Sequence, residues 1–306
     1  MFSLPQRSYP EILCDLEALK QHLLTNLGSQ WIPVRLSQAI DNIKELEQLR
    51  RDNRLEELIS PNDATAEPRA RELVWSIVEG QQLSTIFAGL RDYEPRRVIK
   101  RKMEQALKGP LDPNDETSNT NEGRNILFEL LLGAQFRRAG LDAKIGGKAD
   151  LQLDHARGRL YVECKRPFVE KSIRENILIA RTQLRKRFDA DERPDGVGGL
   201  VAISISKVLN KGSNMFVVEN EDELEHKLGA EVMQIHEQYG SDYGRQIDLR
   251  LVGMFYHLFT PAYVSSTRRL IIASEILIRT RGDSVQTIFP ISGDLLTQHL
   301  RSLGGF

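Results

Sequence analysis

The chain has 306 residues, of which 40% are apolar and 28% are charged, and its formal net charge is −1. This length supports a sizeable core in one large domain or two ordinary ones, and the composition is that of an ordinary soluble protein. The sequence has no apolar run long enough for a membrane span, and its N-terminus, MFSLPQRSYPEIL, lacks the features of a secretory signal. Two cysteines are too few for a disulfide framework, which favours a reducing, cytoplasmic setting.

The near-neutral charge gives no general sign of a nucleic-acid partner, but basic residues cluster locally. Residues 91–102 read RDYEPRRVIKRK, and residues 181–187 read RTQLRKR. Either segment could follow a phosphate backbone. Taken alone, each cluster is more often a solvated helix face, so the charge pattern does not decide between the two interpretations.

Residues 1–115 are predicted to form a helical domain. Apolar residues recur at helical spacing over four segments, which are residues 11–27, 36–59, 67–91 and 95–108. Pro61 would close the second helix, and Glu67 and Pro68 would begin the third. This half shows no constellation typical of a catalytic site, so we interpret it as a recognition or regulatory domain.

A polar, turn-rich segment at residues 109–123 predicts a loop and a domain boundary. The second predicted domain begins within this segment and covers residues 116–306. Helices are predicted at residues 124–139, 169–188 and 221–239, and strands at residues 141–146, 148–154, 159–165, 198–206, 249–259 and 268–280. This order predicts an α/β (α+β) fold with a mixed sheet, preceded by a helical N-terminal half.

The segment 159–165 places a carboxylate and an ammonium side by side. Because side chains alternate across a strand, Glu163 and Lys165 face away from the apolar positions of this segment. Segment 148–154 places Asp150 on its own polar face, and an antiparallel hairpin would bring Asp150 to the same end as Glu163. Two carboxylates that share a site repel each other unless a cation lies between them, and hard oxygen ligands suit Mg²⁺.

Glu129 is the third acidic candidate, because it interrupts the apolar run ILFELLLGA. A lone carboxylate in such a helix is costly unless a metal, a metal-bound water or Lys165 satisfies it. The alternative is a glutamate at the helix edge that reaches solvent. The downstream hairpin favours the functional interpretation.

The chain contains three triplets of the form Asp/Glu-x-Lys, which are Asp142–Lys144, Glu163–Lys165 and Glu225–Lys227. Only the second combines an alternating strand, a preceding strand that carries an Asp, and an upstream helix with an isolated Glu. In this arrangement, residues 124–206 resemble the PD-(D/E)xK nuclease superfamily, whose members have a restriction-endonuclease-like core. Ala149 stands where the Pro of the superfamily's name would be, whereas the acidic and basic positions are intact.

The resemblance implies a role for each residue of the site. Asp150 and Glu163 would bind Mg²⁺ (with Mn²⁺ as a substitute), and the backbone carbonyl of Cys164 would add a ligand. Glu129 would bind a metal ion or its water. Lys165 would orient the attacking water and stabilise charge on the phosphate, which is the chemistry that phosphodiester hydrolysis requires.

Four further residues are candidate nucleic-acid contacts. Gln183 and Arg187 lie one turn apart in the predicted helix 169–188, which would flank the site in such a fold, and we expect both to point toward the substrate phosphate. Ordinary polar surface is an equally good explanation for this pair. Lys148 and Arg166 lie beside the acidic positions and could contact the backbone of a nucleic acid, which is a weaker expectation.

The leading hypothesis is therefore an Mg²⁺-dependent nuclease, with DNA favoured over RNA as the substrate. A catalytically silent nuclease fold that binds DNA or protein is the alternative, and a small-molecule enzyme with a chance Glu-x-Lys strand is a third hypothesis. A homodimer and a protein partner for the helical half remain open expectations, and no membrane association is expected.

Overall fold

The computed structural model describes residues 7–280, apart from residues 27, 29–31, 60–67, 118–119, 156–157, 193–195, 211–214, 245–247 and 249. Its α-helices are α1 (Tyr9–Thr25), α2 (Val34–Arg51), α3 (Pro68–Leu90), α4 (Arg96–Ala106), α5 (Glu122–Arg138), α6 (Ile173–Asp189), α7 (Ser206–Leu209) and α8 (Glu221–Gly244). Its strands are β1 (Asp142–Ile145), β2 (Leu151–His155), β3 (Gly158–Lys165), β4 (Val197–Ser204), β5 (Phe216–Val218), β6 (Leu251–Val264) and β7 (Arg269–Thr280). The predicted α/β fold with a helical first half and a mixed sheet is confirmed. The predicted helix boundaries at Pro61 and Glu67 lie outside the described residues.

Local side-chain and backbone conformations set the start of helix α1 and the end of helix α2. Ser8 and Glu11 form a capping box at the start of α1, because the backbone N–H of Ser8 donates to Glu11 Oε2 at 2.8 Å while the Ser8 side chain accepts from the Glu11 backbone. The single helix predicted over residues 36–59 is wrong. Helix α2 ends at Arg51, Asn53 adopts a left-handed backbone (φ 56°), and Leu55–Leu58 form a separate 3₁₀ turn.

Helices α3 and α5 lie in close contact at the centre of the molecule. A Cβ atom at Gly89 of α3 would lie 2.6 Å from the carbonyl oxygen and 2.8 Å from the Cα of Ala134 in α5. Only glycine permits this approach, because backbone atoms cannot move aside as a flexible side chain can. The contact therefore fixes α5, which carries Glu129, against the helical half.

The sheet follows the order β1-β2-β3-β4-β6-β5, and β7 pairs with β6. Strands β1, β2 and β3 form an antiparallel meander, β4 and β6 continue parallel to β3, and β7 runs antiparallel to β6. One face packs against the helical half through residues such as Leu160 and Val162. The opposite face packs against α6 and α8 through residues such as Tyr161 and Val201. Helices thus cover both faces around β3 and β4, where the strands are buried on both sides.

Strand β6 changes partners along its length. Residues 251–257 pair with β4 and residues 262–264 pair with β5, which leaves a gap between the two partners. Short polar side chains fill this gap, because Phe259 donates its N–H to Ser206 Oγ at 2.9 Å and accepts from Asn210 Nδ2 at 2.8 Å. The prediction that this strand ends at residue 259 was wrong, since the strand continues beyond the gap. The short elements α7 and β5 were not predicted.

Segment 109–117 does not separate two cores. One continuous hydrophobic core extends from helix α1 to strand β7, and it includes α5 and the central strands. The predicted division into residues 1–115 and 116–306 therefore does not mark a break in this core. Instead, Glu116 joins buried charged residues from both sides, and we call this set the buried ion network: Arg35, Glu79, Glu116, Arg124 and Arg166.

Hydrogen bonds join the members of the buried ion network. Glu79 Oε2 accepts from Arg35 Nη2 at 2.5 Å and from Arg124 Nη1 at 3.2 Å. Glu116 pairs with the Arg124 guanidinium and accepts from both terminal nitrogens of Arg166, at 2.9 and 3.2 Å. Buried charges persist when they are paired and hydrogen-bonded in this way.

No described helix is both long and apolar enough to cross a membrane.

Candidate active site

The antiparallel hairpin of β2 and β3 brings the predicted acidic pair together. Glu163, Cys164 and Lys165 are the last three residues of β3, as predicted. Asp150 was predicted within a strand, but residues 146–150 form a bend and β2 begins at Leu151. Because Leu151 aligns with Val162, Asp150 still lies level with Glu163.

A backbone hydrogen bond fixes Asp150. The backbone N–H of Cys164 donates to Asp150 Oδ2 at 2.8 Å. This bond is available because Asp150 precedes the regular pairing of β2, so its side chain can bond to the neighbouring strand. The carboxylate is thereby held over the carboxyl-terminal end of β3.

Glu163 lies in a buried position rather than on a polar face. Its side chain is only 1% exposed, and Tyr161 on the same face is also fully buried beneath α6. Glu163 thus faces away from Leu160 and Val162, as the alternation predicted, but helix α6 covers this face of β3. Burial first, and then the charge of Asp150, raise the pKa of Glu163 from 4.5 to about 7, and a hydrogen bond between the two carboxyls acts in the same direction.

Lys165 lies close to three of the oxygen groups that the resemblance assigns to the metal, which are those of Asp150, Glu163 and the Cys164 backbone. Its Nζ lies 3.8 Å from Asp150 Oδ2 and 3.6 Å from Glu163 Oε2, and it donates to the backbone carbonyl of Cys164 at 3.1 Å. An ammonium group thus occupies the position where two carboxylates and a carbonyl converge. The arrangement shows that these three groups can share one cation.

Glu129 of α5 lies within electrostatic reach of this cluster, but its direct partner is Lys102 of α4. Burial, followed by the charge of Asp150, raises the pKa of Glu129, whereas Lys102 and Lys165 lower it. The partner of Glu129 is thus Lys102, which was not predicted, rather than Lys165, while the predicted contact with a metal ion or its water stays a prediction. The only sequence signal for Lys102 is its place in the basic cluster at residues 91–102.

Arg187 of α6 contributes a second cation to the site. Its Nε lies 3.6 Å from Glu163 Oε1, and about a third of its side chain remains exposed. Gln183 lies one turn earlier, and its Oε1 is buried without a hydrogen bond from any described residue. Helix α6 therefore flanks the site, as expected, but Arg187 is directed at Glu163.

The two weaker nucleic-acid candidates differ in their surroundings. Lys148 is exposed in the bend before β2 and makes no ion pair with the residues that the structure describes. Arg166 is committed to Glu116 in the buried ion network, with a side chain only 7% exposed. Phosphate contact by Arg166 would require that pair to break.

The donor set suits a hard divalent cation. Among the described ranges, no group of three or more His, Cys, Asp or Glu side chains is arranged to hold a metal ion. Two carboxylates with one carbonyl nevertheless match Mg²⁺, which commonly takes one or two protein carboxylates and keeps several waters. Glu163 Oε1 is buried and accepts no hydrogen bond from a described residue, so a ligand position remains open.

The thiol of Cys164 plays no part in this donor set. Burial raises the pKa of Cys164 well above its usual value, which keeps the thiol neutral. Its backbone groups, in contrast, hold Asp150 and Lys165.

Comparison with known proteins adds no relative. No protein-family model matches the chain, and neither the curated proteins nor the solved structures contain a match. The functional interpretation therefore depends on the residues and their geometry alone.

Proposed function

We propose that the chain is a metal-dependent nuclease of the PD-(D/E)xK type, an endonuclease that hydrolyses phosphodiester bonds with DNA favoured over RNA. One observation carries the proposal: Asp150, Glu163 and the carbonyl of Cys164 surround a single cation, the Lys165 ammonium. The raised pKa of Glu163 supports it, because a carboxyl destabilised by its neighbour gains from a nearby divalent ion.

In this proposal, Asp150 and Glu163 would hold Mg²⁺ together with the Cys164 carbonyl. Bound Mg²⁺ would supply charge stabilisation at the phosphate and a more acidic water. Lys165 would move from the carboxylates toward the attacking water and the developing phosphate charge. Glu129 would bind water near the ion, and Lys102, which lowers the pKa of Glu129 against the effects of burial and Asp150, would favour its ionised form.

Exposed cations beside the site suit a polyanionic substrate. Arg187 is partly exposed next to Glu163, and Lys148 is exposed on the bend that carries Asp150. Both could contact phosphates without losing a strong partner. Cys14 and Cys164 are free thiols, which supports a cytoplasmic setting, and Asp150 and Glu163 would make the enzyme dependent on the Mg²⁺ available there.

A binding protein without turnover is the second candidate. Lys165 already neutralises part of the acidic charge and donates to the Cys164 carbonyl, so the site can persist without a metal. A nuclease fold kept for DNA or protein binding would have the same contacts.

A cleavage assay separates these candidates. Plasmid, linear duplex, single-stranded DNA and RNA would each be incubated with the wild type in Mg²⁺, Mn²⁺ or EDTA. We expect cleavage in either metal and none in EDTA, with complete loss in the Asp150→Asn variant. The Asp142→Asn variant is a matched control, because Asp142 belongs to another Asp-x-Lys triplet and is exposed at the start of β1. Absence of cleavage by folded wild type on all four substrates would leave only the binding function.

A further inference from the structure

A pocket of about 500 Å³ lies between the helical half and the sheet, apart from the candidate active site. Helices α1, α2 and α3 contribute one side, and β7 with the turn before it contributes the other. In the sheet, β4 and β6 separate β7 from β3, which carries Glu163. The volume falls in the range typical of small-molecule sites, roughly 300–1,000 Å³.

Four arginines line this pocket, and they come from separate parts of the chain: Arg7, Arg50, Arg268 and Arg269. Each has a carboxylate partner, but those carboxylates (Asp15, Glu47, Glu56 and Glu221) do not line the pocket. A guanidinium has five N–H donors, so one carboxylate partner leaves donors available. The charged part of the wall is therefore positive, which favours an anionic ligand.

Part of the remaining wall is apolar and aromatic, and polar side chains, one of them the buried Ser274, make up the rest. Ile77, Phe259 and Leu270 are buried side chains of the lining. The ring of Tyr9 is held in place because its hydroxyl donates to the Leu270 carbonyl at 3.0 Å. Ser274 Oγ is buried and has no hydrogen-bond partner among the described residues. A buried hydroxyl usually has such a partner, and a polar group of a ligand would supply one.

We propose that this pocket binds a small molecule that combines a phosphate with a flat ring, for which a nucleoside monophosphate is the model. The arginines would bind the phosphate, the apolar wall with Tyr9 and Phe259 would contact the ring, and Ser274 would bond to its polar edge. The site is independent of the proposed nuclease function, because it shares no residue with the acidic cluster. A ligand there would contact both the helical half and β7.

Isothermal titration of the full chain with AMP tests the proposal, with adenosine and inorganic phosphate as partial probes. We expect AMP to bind more tightly than either partial probe, and the Arg269→Gln and Arg50→Gln variants to bind AMP about tenfold more weakly, as expected for the loss of one charge-assisted contact. Arg91→Gln is the matched control, since Arg91 is an exposed arginine outside the pocket. Ser274→Ala would weaken AMP binding without affecting the binding of phosphate.

Three outcomes would overturn the proposal. The first is absence of AMP binding by folded wild type. The second is binding that both arginine variants retain at full strength, which would place the ligand elsewhere. The third is equal affinity for adenosine and AMP, which would remove the role of the arginines. The Lys165→Met variant separates this site from the acidic cluster, because it should bind AMP as the wild type does even if it cleaves nothing.

Discussion

Two groups of charged residues meet at the end of β3, where Lys165 enters the candidate active site and Arg166 enters the buried ion network. In the network, each carboxylate accepts hydrogen bonds from arginines, as in the pair of Glu116 with Arg166 at 2.9 and 3.2 Å. In the candidate site, the cations beside Asp150 and Glu163 lie 3.6–3.8 Å from these two carboxylates, and the pKa of Glu163 rises to about 7. The network holds its carboxylates by direct hydrogen bonds from arginines, whereas the cations nearest to Asp150 and Glu163 lie beyond hydrogen-bond distance, as expected where a further cation binds.

The largest expected effect lies in the buried ion network. Arg124→Met would leave Glu79 and Glu116 with fewer donors inside the protein, and we expect it to lower the free energy of unfolding by about 3–5 kcal/mol. Urea unfolding measures this change. Arg91→Met, at an exposed pair with Asp92, should cost less than about 1 kcal/mol. Equal costs for the two variants would contradict a structural role for the network.

Lys165→Met should reduce cleavage much more than it reduces stability. We expect cleavage in Mg²⁺ to fall about 10²–10³-fold, which is the usual effect of removing a charge-stabilising donor. Stability should fall less than in Arg124→Met, because the Lys165 ion pairs are longer than the hydrogen bonds of the buried ion network. The cleavage rate and the urea midpoint are measured on the same preparation. Lys144→Met, in the triplet on β1, should retain full activity, and a comparable loss there would refute the assignment.

Glu163→Gln should stabilise the protein while it abolishes cleavage. The folded pKa of Glu163 is raised, so the ionised carboxylate costs stability above about pH 7, and the cost vanishes below about pH 4.5. In EDTA at pH 8, we expect the variant to be about 1–3 kcal/mol more stable than wild type, with the difference lost at pH 4. Added Mg²⁺ should narrow the gap at pH 8 by stabilising the wild type alone. A variant less stable at pH 8 would mean that the ion pairs of Glu163 with Lys165 and Arg187 outweigh the cost of burying its charge.

The smallest expected catalytic effect is at Lys102. This lysine lowers the pKa of Glu129, so Lys102→Met should raise that pKa further. If ionised Glu129 serves cleavage, the acidic limb of the pH–rate profile moves to higher pH, with about a tenfold loss near neutrality. Lys100→Met, on the same helix, should leave the profile unchanged, because Lys100 donates to the Gly28 carbonyl and not to Glu129. An unshifted profile in Lys102→Met would remove Glu129 from the mechanism.

Structural features that depend on residues close together in the chain were predicted from local sequence patterns. The alternation in β3 identified Glu163 and Lys165, and the turn that follows β2 placed Asp150 at the same end. The helices, the strands and the mixed sheet were predicted from the spacing of apolar residues, which is also a local feature of the sequence.

Patterns that depend on packing between distant elements were missed. The partner of Glu129 is a lysine 27 residues earlier, brought close by the packing of α4 on α5. The segment around Glu116 resembled a polar linker, because composition does not reveal that a charged residue is buried when its partner lies elsewhere in the chain. The burial of Glu163 depends on α6, which covers β3 only after the chain has folded.

The gap in β6 has a consequence for hydrogen exchange. Where β4 ends and β5 has not yet begun, the amide of Phe259 is held by Ser206 Oγ rather than by a neighbouring strand. Its exchange with deuterated solvent then reports the position of one serine side chain, whereas the amides that β4 protects report the opening of the sheet. Ser206→Ala should selectively accelerate exchange at Phe259, a residue that also lines the arginine-rich pocket. The same amide would slow down if a ligand in that pocket steadies this part of β6.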